Sequence, residues 1–520
     1  MLEPYKWHNG TLDLCMEGTK MNIKNETDVS IFEWNSRNVG DLKIRYVDAL
    51  ELFTKNRIDL VAKYKYVEMY DRGLDIPFIR ELYKSHISAF SAGTFIEEGQ
   101  EEKKNSIEDY ERIFKDLIDS IKCTGFDEHI SVVPVGGENV ILNGSHRVAI
   151  AAYFGLKVPV VYVSDRVEKY DISYFSKRFL DQRYLDYLMT EYIKLKKDTY
   201  VGIFWPVAKK EIIPKAISLL KEKDIFISCE EIELTYQGLF NFMVNVYGHQ
   251  SWIGSISDGY KGISKKVDPC YKENMKRHVF FLENTSLSEV QQIKARIRDL
   301  FEIGNHSVHI CDNHNEAVQI VNLLLNENSL HALNYANICK EKQYIKRIMK
   351  FKTELCNQNM DLNEILIDCS GVLGLYGLRN PSDIDYLSLE NHSIIVNDTE
   401  IEISSHDSEL KYYGKSKEEL ILDPNNFLYA FDLKFISLNA LFSMKKNRCE
   451  PKDKEDCLLI STLLEKKTVR NAVVKKITSI RRRIRYIFLL IRKNIIYFLK
   501  KIGLFSICRK IYHNIIRKKE

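Results

Sequence analysis

The chain reads as a multidomain protein of α/β and α+β class. Three observations predict it. At 520 residues and 60.9 kDa it exceeds one ordinary core. With 45% hydrophobic and 28% charged residues, 23 Gly and 10 Pro, it has globular composition. Runs of strand and helix pattern then alternate through the middle of the chain.

Residues 1–45 alternate weakly and are rich in Asn and Thr, the pattern of a loose or small β lead-in. From residue 46 to about 195 the periodicity is mostly helical, with one strand–turn–helix–strand unit. A second block spans 200–344. There YVGIFWP, IFISCEEIEL, HVFFLEN and HSVHICD read as strands. Ala208–Lys223, Ser286–Phe301 and His314–Asn326 read as helices, so an α/β layer domain is expected. A third block runs from 345 to 467, and a basic tail from 468 to 520.

The net charge of +4 hides a division. From Lys466 to Glu520 there are 18 Lys/Arg against one acidic residue, so everything before it is net acidic. The tail's apolar runs, such as Tyr486–Ile491 and Ile495–Leu499, are too short to span a bilayer. Basic pairs separate them (Arg492–Lys493, Lys500–Lys501, Arg509–Lys510), which predicts amphipathic helices lying on an anionic membrane surface. A basic stripe also suits nucleic acid, but the interleaved Ile, Leu, Phe and Tyr make nucleic acid the weaker expectation. Eleven scattered Cys without a C-x-x-C, and a start (MLEPYKWHNG) lacking a signal pattern, place the chain in the cytoplasm, peripheral on the inner face of the plasma membrane.

Two stretches carry candidate chemistry. The first is ISVVPVGGENVILNGSHRVAIAAYFGLKVPVVYV. It reads as a strand (Ile130–Val135), a Gly-Gly turn, a short strand (Val140–Leu142), the loop Asn143-Gly144-Ser145-His146-Arg147, a helix from about Val148, and a strand (Val158–Val163). Ser145 is the expected N-cap, and free amides beside Arg147 suit a phosphate. Asp59 and Lys63, four apart, read as a surface ion pair.

This unit resembles the ParB/sulfiredoxin-like fold, in which a G-x-H-R or G-x-R-R loop holds a nucleotide phosphate. The resemblance implies nucleotide binding through Asn143, Gly144, Ser145, His146 and Arg147, with Asn143 in place of a frequent Asp. It includes small kinases that would use ATP or another nucleoside triphosphate with Mg²⁺, and for such a kinase the resemblance implies a carboxylate proton acceptor, with Glu97 and Glu98 as the candidates. Ser145 stands where sulfiredoxin's catalytic Cys would be, so the reductase activity is not implied.

The second stretch, EILIDCSGVLGLYGLRNPSDIDYLSL, places Asp383 and Asp385 at i and i+2 of a strand, on one face. Two carboxylates so placed can hold Mg²⁺, with Arg379 and the turn available to a triphosphate. It resembles the nucleotidyltransferase superfamily signature, which implies Asp383 and Asp385 as catalytic metal ligands and Gly377, Arg379 and Ser382 as nucleotide contacts. The usual Ser after the Gly is Leu378, with Ser370–Gly371 as a substitute. Glu402, or else Asp407, is the option for a third metal carboxylate. The segment after Lys434, with Lys452, Asp453 and Asp456, resembles the helices that follow in these enzymes.

A third cluster, His306, His309, Asp312, His314 and Glu316, is dense in metal-ligand types, but its spacing fits a strand end followed by a capped helix better than a zinc site.

The expectation is a transferase moving a phosphoryl or nucleotidyl group to a small hydroxyl acceptor (sugar, polyol or amino acid). The domain combination resembles multidomain enzymes of bacterial capsule, lipopolysaccharide and teichoic-acid assembly. The competing expectation is a ParB-like nucleotide- and DNA-binding protein with an inactive nucleotidyltransferase-like scaffold; no helix-turn-helix pattern follows Val163. A toxin-like enzyme modifying protein or RNA is a third.

Overall fold

The computed structural model describes residues 12–13, 20–23, 42–96, 104–126, 132–273, 275–389, 394–396 and 402–465, with scattered positions from 487 to 504. Glu97 and Glu98 lie outside the described residues, as does most of the tail. Among the described residues the chain builds mixed α and β structure around three sheets.

In the first sheet the strands run Leu12–Asp13, Lys20–Ile23, Leu42–Asp48, Lys157–Tyr162 and Val133–Val135 in spatial order. Lys157–Tyr162 pairs antiparallel with Leu42–Asp48 and parallel with Val133–Val135. The expected strand–turn–helix–strand unit is present, with one shift. The helix is Ser145–Tyr153 and its N-cap is Gly144 at φ 84°, so Ser145 is the first helical residue and not the cap. The expected 140–142 strand reduces to a single bridge between Val135 and Ile141.

The second sheet has the order Phe226–Ile232, Arg277–Leu282, Tyr200–Phe204, Val308–Ile310, and every neighbour is antiparallel. Strand–helix–strand units are therefore present as expected, but each unit's two strands are separated by a strand of the other. The split arrangement makes this sheet antiparallel although the sequence alternates like a parallel one. Helix Ile213–Glu222 starts later than the expected Ala208, because Pro214 belongs in the first turn, where its missing N–H costs nothing. Helix Leu287–Phe301 starts where Ser286 and Glu289 form a reciprocal capping box.

One face of this sheet (Phe204, Phe280, Leu282) buries a local core under Ile213–Glu222 and Leu287–Phe301. The opposite face (Val201, Ile203, Val279, Phe281) belongs to a core continuous with the other two sheets.

The third sheet has the order Ile403–Ser405, Ile384–Ser388, Ile365–Ile367, Leu433–Ile436, Phe427–Ala430. It is mixed: Ile384–Ser388 is antiparallel to Ile365–Ile367 and parallel to Ile403–Ser405. The edge hairpin turns through Phe431 and Asp432, both at positive φ (55° and 63°), the conformation a two-residue hairpin loop demands.

Asp59 and Lys63 are not a surface pair. Both are buried on helix Asp59–Asp71, 2.7 Å apart. Arg57 grips the same carboxylate through Nε (2.8 Å) and Nη2 (2.9 Å), and its Nη1 donates to the Ile141 carbonyl. Lys63 Nζ also donates to His86 Nε2 at 3.2 Å, and His86 Nδ1 lies 3.2 Å from the Tyr83 carbonyl. Burial opposes the Asp59 charge, but Arg57 and Lys63 outweigh it and hold the carboxyl far below its usual range. Spacing of i and i+4 says that two side chains meet, not which face of the helix they occupy.

Burial, reinforced by the Lys63 charge, pushes the His86 imidazole down to about 3 from an ordinary 6.5, so it folds neutral. The unfolded state then binds an extra proton between those values, and folding stability falls as pH drops through that window. Wild type should lose up to about 1.4 kcal/mol per pH unit there. In a urea-unfolding series, His86→Gln should show a flatter acid limb; an unchanged limb would refute the neutral buried histidine.

Candidate functional site

The loop Asn143–Arg147 sits between sheet and helix in the N-terminal part. Asn143 Oδ1 accepts from the Gly144 N–H at 2.6 Å. The Arg147 guanidinium folds back over Gly144, where an added Cβ would lie 2.8 Å from Nη2. Gly144 is favoured for its left-handed φ, while the guanidinium, at the end of a flexible side chain, could give way to a Cβ. His146 Nε2 lies 3.0 Å from the Tyr83 hydroxyl, and its ring meets Phe114 edge-on. Burial first, and then the Lys63 and Lys104 charges, hold it well below its ordinary value. Ser145 is half-buried in the first turn.

The second constellation forms where the third sheet's strands end. Ile365–Ile367 runs directly into Asp368 and Cys369, then helix Ser370–Leu375. Cys369 turns this corner at φ 49°, ψ −125°, a conformation costly for any residue with a Cβ. Asp368 is fully buried. Its Oδ1 accepts from the Cys369 N–H (2.6 Å) and the Tyr413 hydroxyl, and its Oδ2 lies 2.8 Å from His406 Nδ1.

Asp385 lies within Ile384–Ser388, whereas Asp383, expected on the same strand, sits in the bend just before it; both are half-buried. Ser382, exposed, donates to Asp383 Oδ1 at 3.1 Å. Ser404, directly across the parallel ladder from Asp385, donates to its Oδ1 at 2.8 Å. Burial raises the Asp385 carboxyl, opposed by His406 and by the Ser404 hydroxyl. Burial works against a charged His406, yet the bond to Asp368 and the Asp368, Asp385 and Glu409 charges prevail, and its value rises.

Glu402 precedes the Ile403–Ser405 strand; its carbonyl accepts from the Ile384 N–H, and the residue is exposed. The strand position facing Asp385 thus carries a hydroxyl, not a third carboxylate. Asp407 is engaged by Lys417 at 2.8 Å.

Behind Cys369 lies a charged layer. Buried Lys445 reaches Asp453 (3.1 Å), Asp456 (2.8 Å) and Cys369 Sγ (4.0 Å). Arg448 bridges Asp453 and Glu409. Burial opposes the Asp453 charge, but Arg448 and Lys445 hold its carboxyl well below the usual range. Arg379, exposed in part, pairs with Asp456 at 3.0 Å. Gly377, at φ 69°, is buried so that a Cβ would lie 2.9 Å from the Asn337 carbonyl, which is a packing role. Asp453 and Asp456 were visible in the sequence; Asp368, Cys369, Ser404, His406 and Lys445 were not singled out. The legible signal was an acid immediately after three strand residues.

The histidine-rich run is used structurally. His309 Nε2 pairs with Glu316 at 2.9 Å, Tyr247 meets His309 Nδ1 at 3.1 Å, and Asn313 caps the following helix.

No family model, curated protein or solved structure matches this chain.

The Cys369 corner allows a direct test of backbone strain. At an ordinary position Gly is the less stable choice by about 0.5–1 kcal/mol relative to Ala. At this φ and ψ the order should invert, with Cys369→Gly more stable than Cys369→Ala by about 1–3 kcal/mol in urea unfolding. Equal or reversed stabilities would contradict the strained corner.

Proposed function

We propose that this chain is a transferase of phosphorus-containing groups, moving a nucleotidyl or phosphoryl group from a nucleoside triphosphate to a small hydroxyl acceptor such as a sugar, polyol or amino acid. The observation that carries the reading is the pair Asp383 and Asp385, held at one strand end beside a tight strand-to-helix turn. That pairing supports membership of a nucleotidyltransferase-like group for residues 345–467. Two carboxylates offer the hard oxygen donors that Mg²⁺ takes, and burial makes a nearby cation favourable to Asp385. When bound there, Mg²⁺ would neutralise charge on the triphosphate. Ser404 orients Asp385, and Asp368 fixes the corner that faces it.

The loop Asn143–Arg147 is the proposed second phosphate site, with Arg147 meeting the anion and Gly144 giving the backbone its approach. It supports the ParB/sulfiredoxin-like reading for residues 46–195. The setting we propose is assembly of a bacterial surface polysaccharide, by analogy of domain combination.

The tail supports a peripheral membrane position. No helix among the described residues is long and apolar enough to cross a membrane. Ile487, Ile491, Ile495, Phe498 and Ile502 recur at helical spacing and are all exposed, an apolar stripe within a strongly basic segment.

Transfer is tested with α- and γ-labelled triphosphates, Mg²⁺ and candidate acceptors. Asp383→Asn and Asp385→Asn should each cut α-label transfer by about 100-fold or more, the scale on which charge stabilisation is lost. Arg147→Ala should remove γ-label transfer while sparing the other. Absence of both transfers with every acceptor would sink the enzyme reading.

Membrane association is tested by flotation. The full chain should float with phosphatidylglycerol vesicles at low salt, and a chain ending at Lys467 should not. Retention on duplex DNA at matched salt, without flotation, would favour the DNA-binding alternative.

A further inference from the structure

The residues around Asp385 include donors that a magnesium site does not need. Cys369 Sγ, a carboxylate oxygen of Asp385 and a ring nitrogen of His406 all lie within 4.8 Å of one another. Among the described residues this is the sole group of three His, Cys, Asp or Glu side chains so placed. Sulfur and imidazole are poor ligands for Mg²⁺ and good ones for zinc-class ions. With metal–ligand bonds of about 2.0–2.3 Å, one ion reaches three such donors after small side-chain rotations.

The supporting residues match what a zinc-class site requires. His406 Nδ1 is taken by the fully buried Asp368, 2.8 Å away, which leaves Nε2 as the ligand atom. A carboxylate behind a ligating imidazole fixes its tautomer and raises its basicity. Asp385 is oriented by Ser404. Cys369 is presented from a strained corner whose N–H is itself bound to Asp368, so one buried carboxylate positions two of the three donors. Burial pushes the Cys369 thiol up to about 11 despite Lys445 Nζ, 4.0 Å from Sγ, so the metal itself has to displace that proton.

We infer that Cys369, Asp385 and His406 form a three-ligand site for a zinc-class divalent cation, with a fourth position open to water or substrate. Three protein ligands and an open position is the arrangement of catalytic rather than structural zinc. On binding, the S–H bond breaks, its proton leaves to solvent, and a sulfur–metal bond forms. Any proton on His406 Nε2 leaves likewise, so affinity rises with pH. Asp385 is shared with the proposed transfer reaction, and its two oxygens can serve two ions. The inference does not require that transfer to occur.

The test uses the full chain, stripped with chelator, kept reduced and titrated with Co²⁺. Stoichiometric binding with thiolate-to-cobalt charge-transfer absorption in the near ultraviolet, displaced by Zn²⁺, is expected. Cys369→Ser should abolish that absorption, and Cys449→Ser, at an exposed thiol outside the cluster, should retain it. His406→Gln and Asp368→Asn should weaken binding by about 10–100-fold. Wild type that binds no Co²⁺, or binds it without the thiolate signature, overturns the site even if a variant fails to fold. So does a signature that survives in folded Cys369→Ser. The readout is a spectrum, so loss of label transfer with the cobalt signature intact would refute the transfer reading alone.

Discussion

A carboxylate sealed from water has to be met by donors from the protein, and the groups that meet it lose their freedom. Asp368 is in that position. Its oxygens engage the backbone N–H of Cys369, the Tyr413 hydroxyl and the His406 ring. Those groups come from the strand-to-helix corner, from the segment after Ile403–Ser405, and from the loop beyond it. One buried side chain thereby ties the end of Ile365–Ile367 to the far side of the sheet and positions Cys369 and His406. Removing it would leave a strained corner without its anchor and a histidine without its orienting partner.

The N-terminal part follows the same physics. Asp59 is buried because Arg57 and Lys63 neutralise it, and the network continues through His86 to the backbone of Tyr83. The Tyr83 hydroxyl meets His146, so the charged interior lies one residue behind the Asn143–Arg147 loop. The antiparallel middle sheet contributes Val201, Ile203, Val279 and Phe281 to the core it shares with the other two sheets. Both candidate sites therefore stand on packed interior, which is what a precisely held constellation requires.

How much of this was readable differs by element. The strands around Val201, Phe280 and Ile310, and the helix after Ser286, follow from apolar runs and capping residues, which are local signals. The antiparallel order of the middle sheet does not, because alternation of strand and helix is common to parallel and split arrangements. Asp383 and Asp385 were legible as an i, i+2 acid pair at a strand start, although the strand itself takes in Asp385 alone. Cys369 was not: nothing local marks a cysteine at positive φ, where a glycine is the usual occupant. His406 and Ser404 reach Asp385 only through the parallel pairing of Ile384–Ser388 with Ile403–Ser405, a long-range register. Asp59 and Lys63 were seen as partners, but their burial depends on Arg57 and His86 closing over them.

The central claim is that Asp383 and Asp385 gather a cation and a nucleotide at the end of their strand. It is tested most directly by anomalous diffraction from crystals grown with Mn²⁺ and a non-hydrolysable nucleoside triphosphate. The account predicts a manganese peak in contact with both carboxylates, with the nucleotide's phosphates beside it. A nucleotide bound with its phosphates away from these residues, or no manganese at either carboxylate, would contradict it.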